Sequence, residues 1–123
     1  MKKVILDTNF ILTSVKQKID FIEEITLMGI KIIIPLQVIR ELEKVAESKK
    51  KLKFRDDANL ALKLLKQSKF EEIDLKERYV DKGLIKYAEE NKSVIIATLD
   101  KDIKNKVNNH KLVIRERKRL EII

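Results

Sequence analysis

The sequence predicts an α/β fold, a three-layer α/β/α sandwich around a central, mostly parallel β-sheet. Two observations predict it. Short apolar runs rich in Ile and Val (VIL, IIIP, VIIA) recur along the chain, and amphipathic stretches of helical period separate them. Strands that are apolar at successive positions are buried on both faces, which requires helices on both sides of a parallel sheet.

Each element has its own signal. Lys3–Leu6 reads as the first strand, ended by Asp7-Thr8-Asn9, residue types that cap helices well. The helical stretch after it places Ile19, Ile22, Ile25 and Met28 at three-residue spacing and closes at Gly29. Lys31–Ile34 is a second strand, stopped by Pro35, a residue suited to the first turn of the next helix. That helix runs from Leu36 to about Glu47, with Val38, Leu42 and Val45 on one face and Glu41 beside the stripe. Ser48–Arg55 reads as a basic connection. Asp56 or Asp57 then caps a helix through about Lys69, with Leu60, Leu64 and Leu65 inward. Phe70–Ile73 is an edge strand, and Tyr79–Asn91 a helix with Leu84, Ile85 and Ala88 as apolar positions. Ser93–Ala97 is the most apolar strand, Lys101–Val107 a short helix and Lys111–Ile114 another strand; Leu120–Ile123 is a last edge strand or a packed tail.

Composition narrows the function. At 123 residues the chain is expected to form one domain, residues 1–123, with a real core. It has 44% hydrophobic and 39% charged residues, with two Gly and one Pro, which leaves little for disordered linkers. There is no cysteine, so disulfides, zinc ribbons and thiol catalysis are excluded. MKKVILDTNFIL is interrupted by Asp7 and Asn9 and is read as a buried strand, not a signal peptide. No stretch approaches the roughly 18 apolar residues of a membrane span, so a cytoplasmic protein without a membrane partner is expected. A formal net charge of +8 favours a polyanionic partner.

Against that basic background, four acids stand out. Asp7 and Asp100 follow the two strands expected at the centre of the sheet, and Glu41 and Asp81 begin or ride on helices. Right-handed crossovers put strand carboxyl ends along one edge, where open α/β sheets bind ligands. Carboxylates that converge there repel one another unless a cation holds them, and hard divalent cations take oxygen ligands. A basic exterior around an acidic, metal-binding centre suits an enzyme acting on a phosphodiester chain.

These residues also carry a resemblance. Asp7-Thr8-Asn9 after the first strand, the Glu41-Leu42-Glu43 of a helix, the helix-opening Asp81 and Thr98-Leu99-Asp100-Lys101-Asp102 after a late strand together resemble the PIN-domain nucleases. The likeness covers essentially the whole chain. DTNFIL, the ELEK helix, NLALKLLK and the tail RKRLEII look most like the branch that processes precursor small-subunit ribosomal RNA. One departure is that Lys82 follows the helix-opening Asp81, where that branch tends to have a second acid.

The resemblance implies a metal-dependent endoribonuclease in which Asp7, Glu41, Asp81 and Asp100 are catalytic and hold one or two Mg²⁺ or Mn²⁺ ions. Asp102, the second acid of the Asp-x-Asp pair, either joins them through water or caps the following helix. Thr8, Asn9 and Thr98 are uncharged and suited to orienting the acids. The substrate implied is RNA, precursor ribosomal RNA above all; alternatives are a toxin-type ribonuclease of a toxin–antitoxin pair and a non-catalytic assembly factor. A homodimer fits the superfamily, although no strip of this sequence declares an interface.

Each acid has a plainer reading. Asp7 and Asp100 could be simple helix caps, and Asp81 could complement a helix N-terminus. Glu41 could pair with Lys44 on an exposed face, worth about 0.2–0.5 kcal/mol. Separate caps do not explain the joint pattern. Lys49, Lys50, Lys51, Lys53 and Arg55 are expected to contact RNA phosphate, against the alternative of a solvated loop, and Arg115–Arg119 forms a second basic run. His110 reads as a loop residue, and the Tyr and Phe residues as packing.

Overall fold

Val4, Ile5 and Leu6 occupy successive positions of β1 (Lys3–Leu6), and all three are fully buried. Successive strand residues point to opposite faces, so both faces of the sheet must be covered. The computed structural model, which describes residues 1–49 and 51–123, meets that requirement with six strands in the order β3-β2-β1-β4-β5-β6 and helices between them. The remaining strands are β2 (Lys31–Pro35), β3 (Glu71–Ile73), β4 (Ile95–Ala97), β5 (Lys111–Arg115) and β6 (Arg119–Ile122). β1 to β5 pair in parallel and β6 returns antiparallel along β5, so the mostly parallel α/β architecture read from the sequence is the one observed. In register, Ile5 stands opposite Ile33 on one side and Ile96 on the other, which makes β1 and β4 central.

The helices are α1 (Thr8–Lys16), α2 (Phe21–Leu27), α3 (Leu36–Glu47), α4 (Leu52–Lys66), α5 (Val80–Glu90) and α6 (Lys101–Lys106). No helix among the described residues is long and apolar enough to cross a membrane. Most boundaries lie within a residue or two of the sequence-based ones. The tail is a true strand: Leu120 stands opposite Ile114, and β6 forms one edge of the sheet as β3 forms the other.

Two expectations are corrected. The single helix expected before Gly29 is two, because Lys18 takes a left-handed backbone (φ 59) and Asp20 caps α2 by accepting from the Glu23 N–H. Ile19 is buried in the connection, whereas Met28, at the end of α2, is 42% exposed. The second correction concerns Ser48–Arg55, half of which is helix. The Phe54 and Arg55 N–H groups bond to the Lys51 carbonyl, so α4 starts at Leu52 without a side-chain cap, carried by the good helix formers Leu, Lys and Arg. Asp56 and Asp57 therefore lie inside α4. Its buried face is Ala58, Ala61 and Leu65; Leu60, about 200° around the helix from Ala58, is exposed.

Candidate active site

β1 and β4 run side by side and end together, so the residues after them share one edge. The Asp7 N–H extends the ladder by donating to the Ala97 carbonyl at 2.9 Å. Asp7 is only 7% exposed. Its Oδ1 accepts from the Thr8 N–H and its Oδ2 from the hydroxyl of fully buried Thr98, both at 2.8 Å. The same Thr98 oxygen accepts from the Asp100 N–H at 3.1 Å. Asp100 in turn caps α6, its Oδ1 accepting from the Asp102 and Ile103 N–H groups. From α3, the Glu41 carboxylate accepts the Thr8 hydroxyl proton.

Asp7, Glu41, Asp81 and Asp100 all line one cleft of about 570 Å³, together with Thr8 and Asn9. Asp81 reaches it from the first turn of α5. That helix sits tight on the segment before it: a Cβ at Gly83 would stand 2.9 Å from the Leu75 side chain.

Burial is the main force on Asp7, and it pushes the carboxyl above the ordinary carboxylate range. Hydrogen bonds from Thr98 and Thr8 oppose the shift, and the nearby charges of Glu41 and Asp100 add to it. The protein thus collects negative charge around a poorly solvated acid. A hard divalent cation fits this donor set, which is all oxygen. Among the described residues, no three Asp, Glu, His or Cys side chains stand close enough to enclose an ion by themselves.

The other sequence-predicted residues fall outside the cleft lining. Thr98 lies buried behind Asp7. Asp102 is exposed and paired with Lys106 at 3.2 Å. Lys53 and Arg55 are exposed at the start of α4, Lys49 and Lys51 are exposed just before it, and Lys50 lies outside the described residues. Lys82 turns to the Tyr79 ring, 5.6 Å from its centroid. Glu41 makes no ion pair with Lys44 among the described residues; both line the cleft instead.

Sequence reasoning missed much of the wall. Leu12, Lys44, Val45, Phe54, Arg78 and Tyr79 also line the cleft, drawn from four separate segments. Only Lys44 and Val45, three and four residues after Glu41 and so on the same helical face, carried a local signal.

Comparison with known proteins identifies the family. The PIN-like domain family matches residues 4–119. The chain is 34% identical over 128 residues to Ribonuclease VapC4 of Methanocaldococcus jannaschii, covering 99% of this chain and 97% of that protein. It is 30% identical over 109 residues to the rRNA-processing protein FCF1 homologs of Bos taurus and Homo sapiens, covering 85% of this chain but only 50% of theirs. The solved structure of the PIN domain endonuclease Utp24 superposes with a TM-score of 0.76 at 28% identity, over 98% of this chain and 92% of that one. The chain belongs to the PIN-like domain family, within the PIN nucleases and near their rRNA-processing branch.

Proposed function

We propose that this protein is a divalent-metal-dependent endoribonuclease, one domain over residues 1–123, acting in the cytoplasm on precursor ribosomal RNA. The observation that carries the reading is the shared cleft: four carboxylates from four separate elements line it, around an acid whose charge is disfavoured by burial and by two of its neighbours.

Asp7, Glu41, Asp81 and Asp100 are the residues that would hold Mg²⁺ or Mn²⁺. A divalent cation there supplies Lewis acidity toward the scissile phosphate and a nucleophile at neutral pH. The chain's own part is to place charge. Thr98 fixes one oxygen of Asp7 and the backbone of Asp100, and Thr8 fixes Glu41. Asn9, exposed on the cleft, has an uncharged amide to meet a phosphate or sugar oxygen. Lys44 and Arg78 bring positive charge to the same cleft, where a phosphate entering among carboxylates needs it. Lys49, Lys51, Lys53 and Arg55 extend that charge outward along the start of α4 to hold the RNA backbone without reading sequence.

A second reading keeps the chemistry and changes the substrate to the messenger or transfer RNA cut by a toxin-type ribonuclease. The match to Ribonuclease VapC4 over nearly its whole length favours it, whereas the FCF1 homologs are matched over half of theirs. The test is cleavage of a precursor small-subunit ribosomal RNA fragment beside transfer and messenger RNA. Each is incubated with Mg²⁺ or Mn²⁺ and then with EDTA, for wild type and Asp7→Asn. Metal-dependent cutting of the precursor at one site, lost in the variant, is expected. Preferential cutting of transfer or messenger RNA would move the protein to the second reading. RNA binding without cutting would make it an assembly factor.

A further inference from the structure

The chain's aromatic side chains divide sharply. Phe10 and Phe21 are buried, while Phe70 and Tyr87 pack partly buried against the core. Phe54 and Tyr79 are left 49% and 53% exposed, and both line the acidic cleft. They come from opposite ends of the fold's middle third, Phe54 from the first turn of α4 and Tyr79 from the residue preceding α5. Neither is required there by secondary structure: α4 begins without a side-chain cap, and the Tyr79 side chain makes no capping bond.

Exposed aromatic surface is costly unless something covers it, and the chemistry around these rings narrows what that is. The Arg78 guanidinium and the Lys82 ammonium each lie 5.6 Å from the Tyr79 ring centroid, so positive charge flanks that ring. Lys53 and Arg55 bracket Phe54 in sequence, exposed on the same helix. Flat rings interleaved with cations are the surface that takes single-stranded nucleic acid, with bases on the rings and phosphates on the cations. Bases paired in a helix cannot offer their faces this way. The cleft also has a particular need for such interactions. Its carboxylates repel phosphate, so affinity near the reacting bond must come partly from uncharged groups, and stacked bases are uncharged.

From this placement we infer that Phe54 and Tyr79 are base-stacking platforms that grip unpaired nucleotides on either side of the scissile phosphate. The inference rests on the nuclease reading and assigns two substrate-positioning residues to the same site. Phe54 and Tyr79 are positioning residues. The exposed Asp81 carboxylate, two residues from Tyr79, would then help hold a cation close to a base already held in place.

The test uses short single-stranded RNAs carrying the fluorescent base 2-aminopurine at successive positions, and a perfect duplex of the same sequence. Binding and base fluorescence are read in the Asp7→Asn background with Mg²⁺, and steady-state cleavage in the wild-type background. The substitutions Phe54→Leu and Tyr79→Leu remove the ring but keep apolar bulk; Phe54→Trp and Tyr79→Phe keep a ring. Quenched fluorescence at two positions flanking the cut is expected. Each Leu variant should abolish one quench and raise the single-strand KM by roughly 5- to 150-fold, the range for loss of one stacked base, with kcat little changed. The ring-keeping variants should restore both readings.

Leu variants with unchanged quenching and KM would overturn the inference and leave the rings to a protein partner, while metal-dependent cutting by wild type would keep the nuclease reading intact. Tighter binding and faster cutting of the duplex would overturn it in the same way. Quenching that depends on Phe54 and Tyr79 in a protein that cuts no RNA would support the platforms and reject the nuclease.

Discussion

The Thr98 hydroxyl donates to Asp7 Oδ2 at 2.8 Å although the two residues stand 91 positions apart in sequence. It also accepts from the Asp100 N–H, so one buried oxygen sets the spacing between two of the cleft's acids. Thr98→Val removes that link while keeping shape. It leaves the Asp100 N–H and one Asp7 oxygen short of a partner, a cost of about 1–3 kcal/mol. Thermal unfolding should show that loss, cleavage should fall with it, and Thr98→Ser should recover most of both.

Asp7→Asn separates stability from activity. Because burial, Glu41 and Asp100 hold the folded-state pKa of Asp7 above its unfolded value, the folded wild type carries a penalty at neutral pH. That penalty is fully present above the folded-state pKa and is relieved as pH falls through it toward the ordinary carboxylate range. Without divalent cations, Asp7→Asn should therefore melt a few degrees higher than wild type at pH 7, where 1 kcal/mol is worth roughly 3–6 °C. The gap should close on acidification, and cleavage should be lost. A lower melting temperature for the variant at pH 7 would mean that the hydrogen bonds to Thr8 and Thr98 outweigh burial.

Adding Mg²⁺ or Mn²⁺ should reverse that order. An ion that binds only the folded protein stabilises it by about 2.7 kcal/mol at a hundred times its Kd. The rise in melting temperature should be large for wild type and reduced in Asp7→Asn, Glu41→Gln, Asp81→Asn and Asp100→Asn. Equal rises in all of them would place the ion elsewhere.

Asp100 and Asp102 should part company. Asn caps helices as well as Asp, so Asp100→Asn should fold normally yet lose roughly 10²–10³ in cleavage rate, the scale for one preorganised electrostatic group. Asp102→Ala breaks only an exposed pair with Lys106, worth about 0.3–0.5 kcal/mol, and should cut nearly as wild type does. A deep loss in Asp102→Ala would return it to the metal-binding set.

Neutralising Lys51, Lys53 and Arg55 together should weaken single-stranded RNA binding at low salt. It should also flatten the plot of log affinity against log salt by about 0.7 for each phosphate that the protein no longer neutralises. An unchanged slope would make this basic run a solvated surface.

What could be read from the sequence, and what could not, follows from range. The strand cores announced themselves because Ile and Val runs are local. Asp7 and Asp100 could be assigned to one edge because each directly or nearly follows a central strand. The break at Lys18 was hidden because Ile19, though buried, keeps the three-residue spacing of a helix across the gap. The start of α4 was misplaced because Asp56 and Asp57 imitate a cap that Lys51 makes unnecessary through its backbone. Phe54 and Tyr79 read as packing because their neighbour is the cleft itself, which exists only once α3, α4 and α5 have docked.

The backbone bond from Asp7 to Ala97 carries a last consequence. That amide belongs to the ladder between the two central strands, so it should exchange its hydrogen with solvent only when the whole domain opens. Phe54 sits on an uncapped helix start whose first turn is exposed throughout, a segment able to fray on its own. The sheet side of the cleft is thus as durable as the fold, while its α4 side is free to adjust as a strand of RNA enters and leaves.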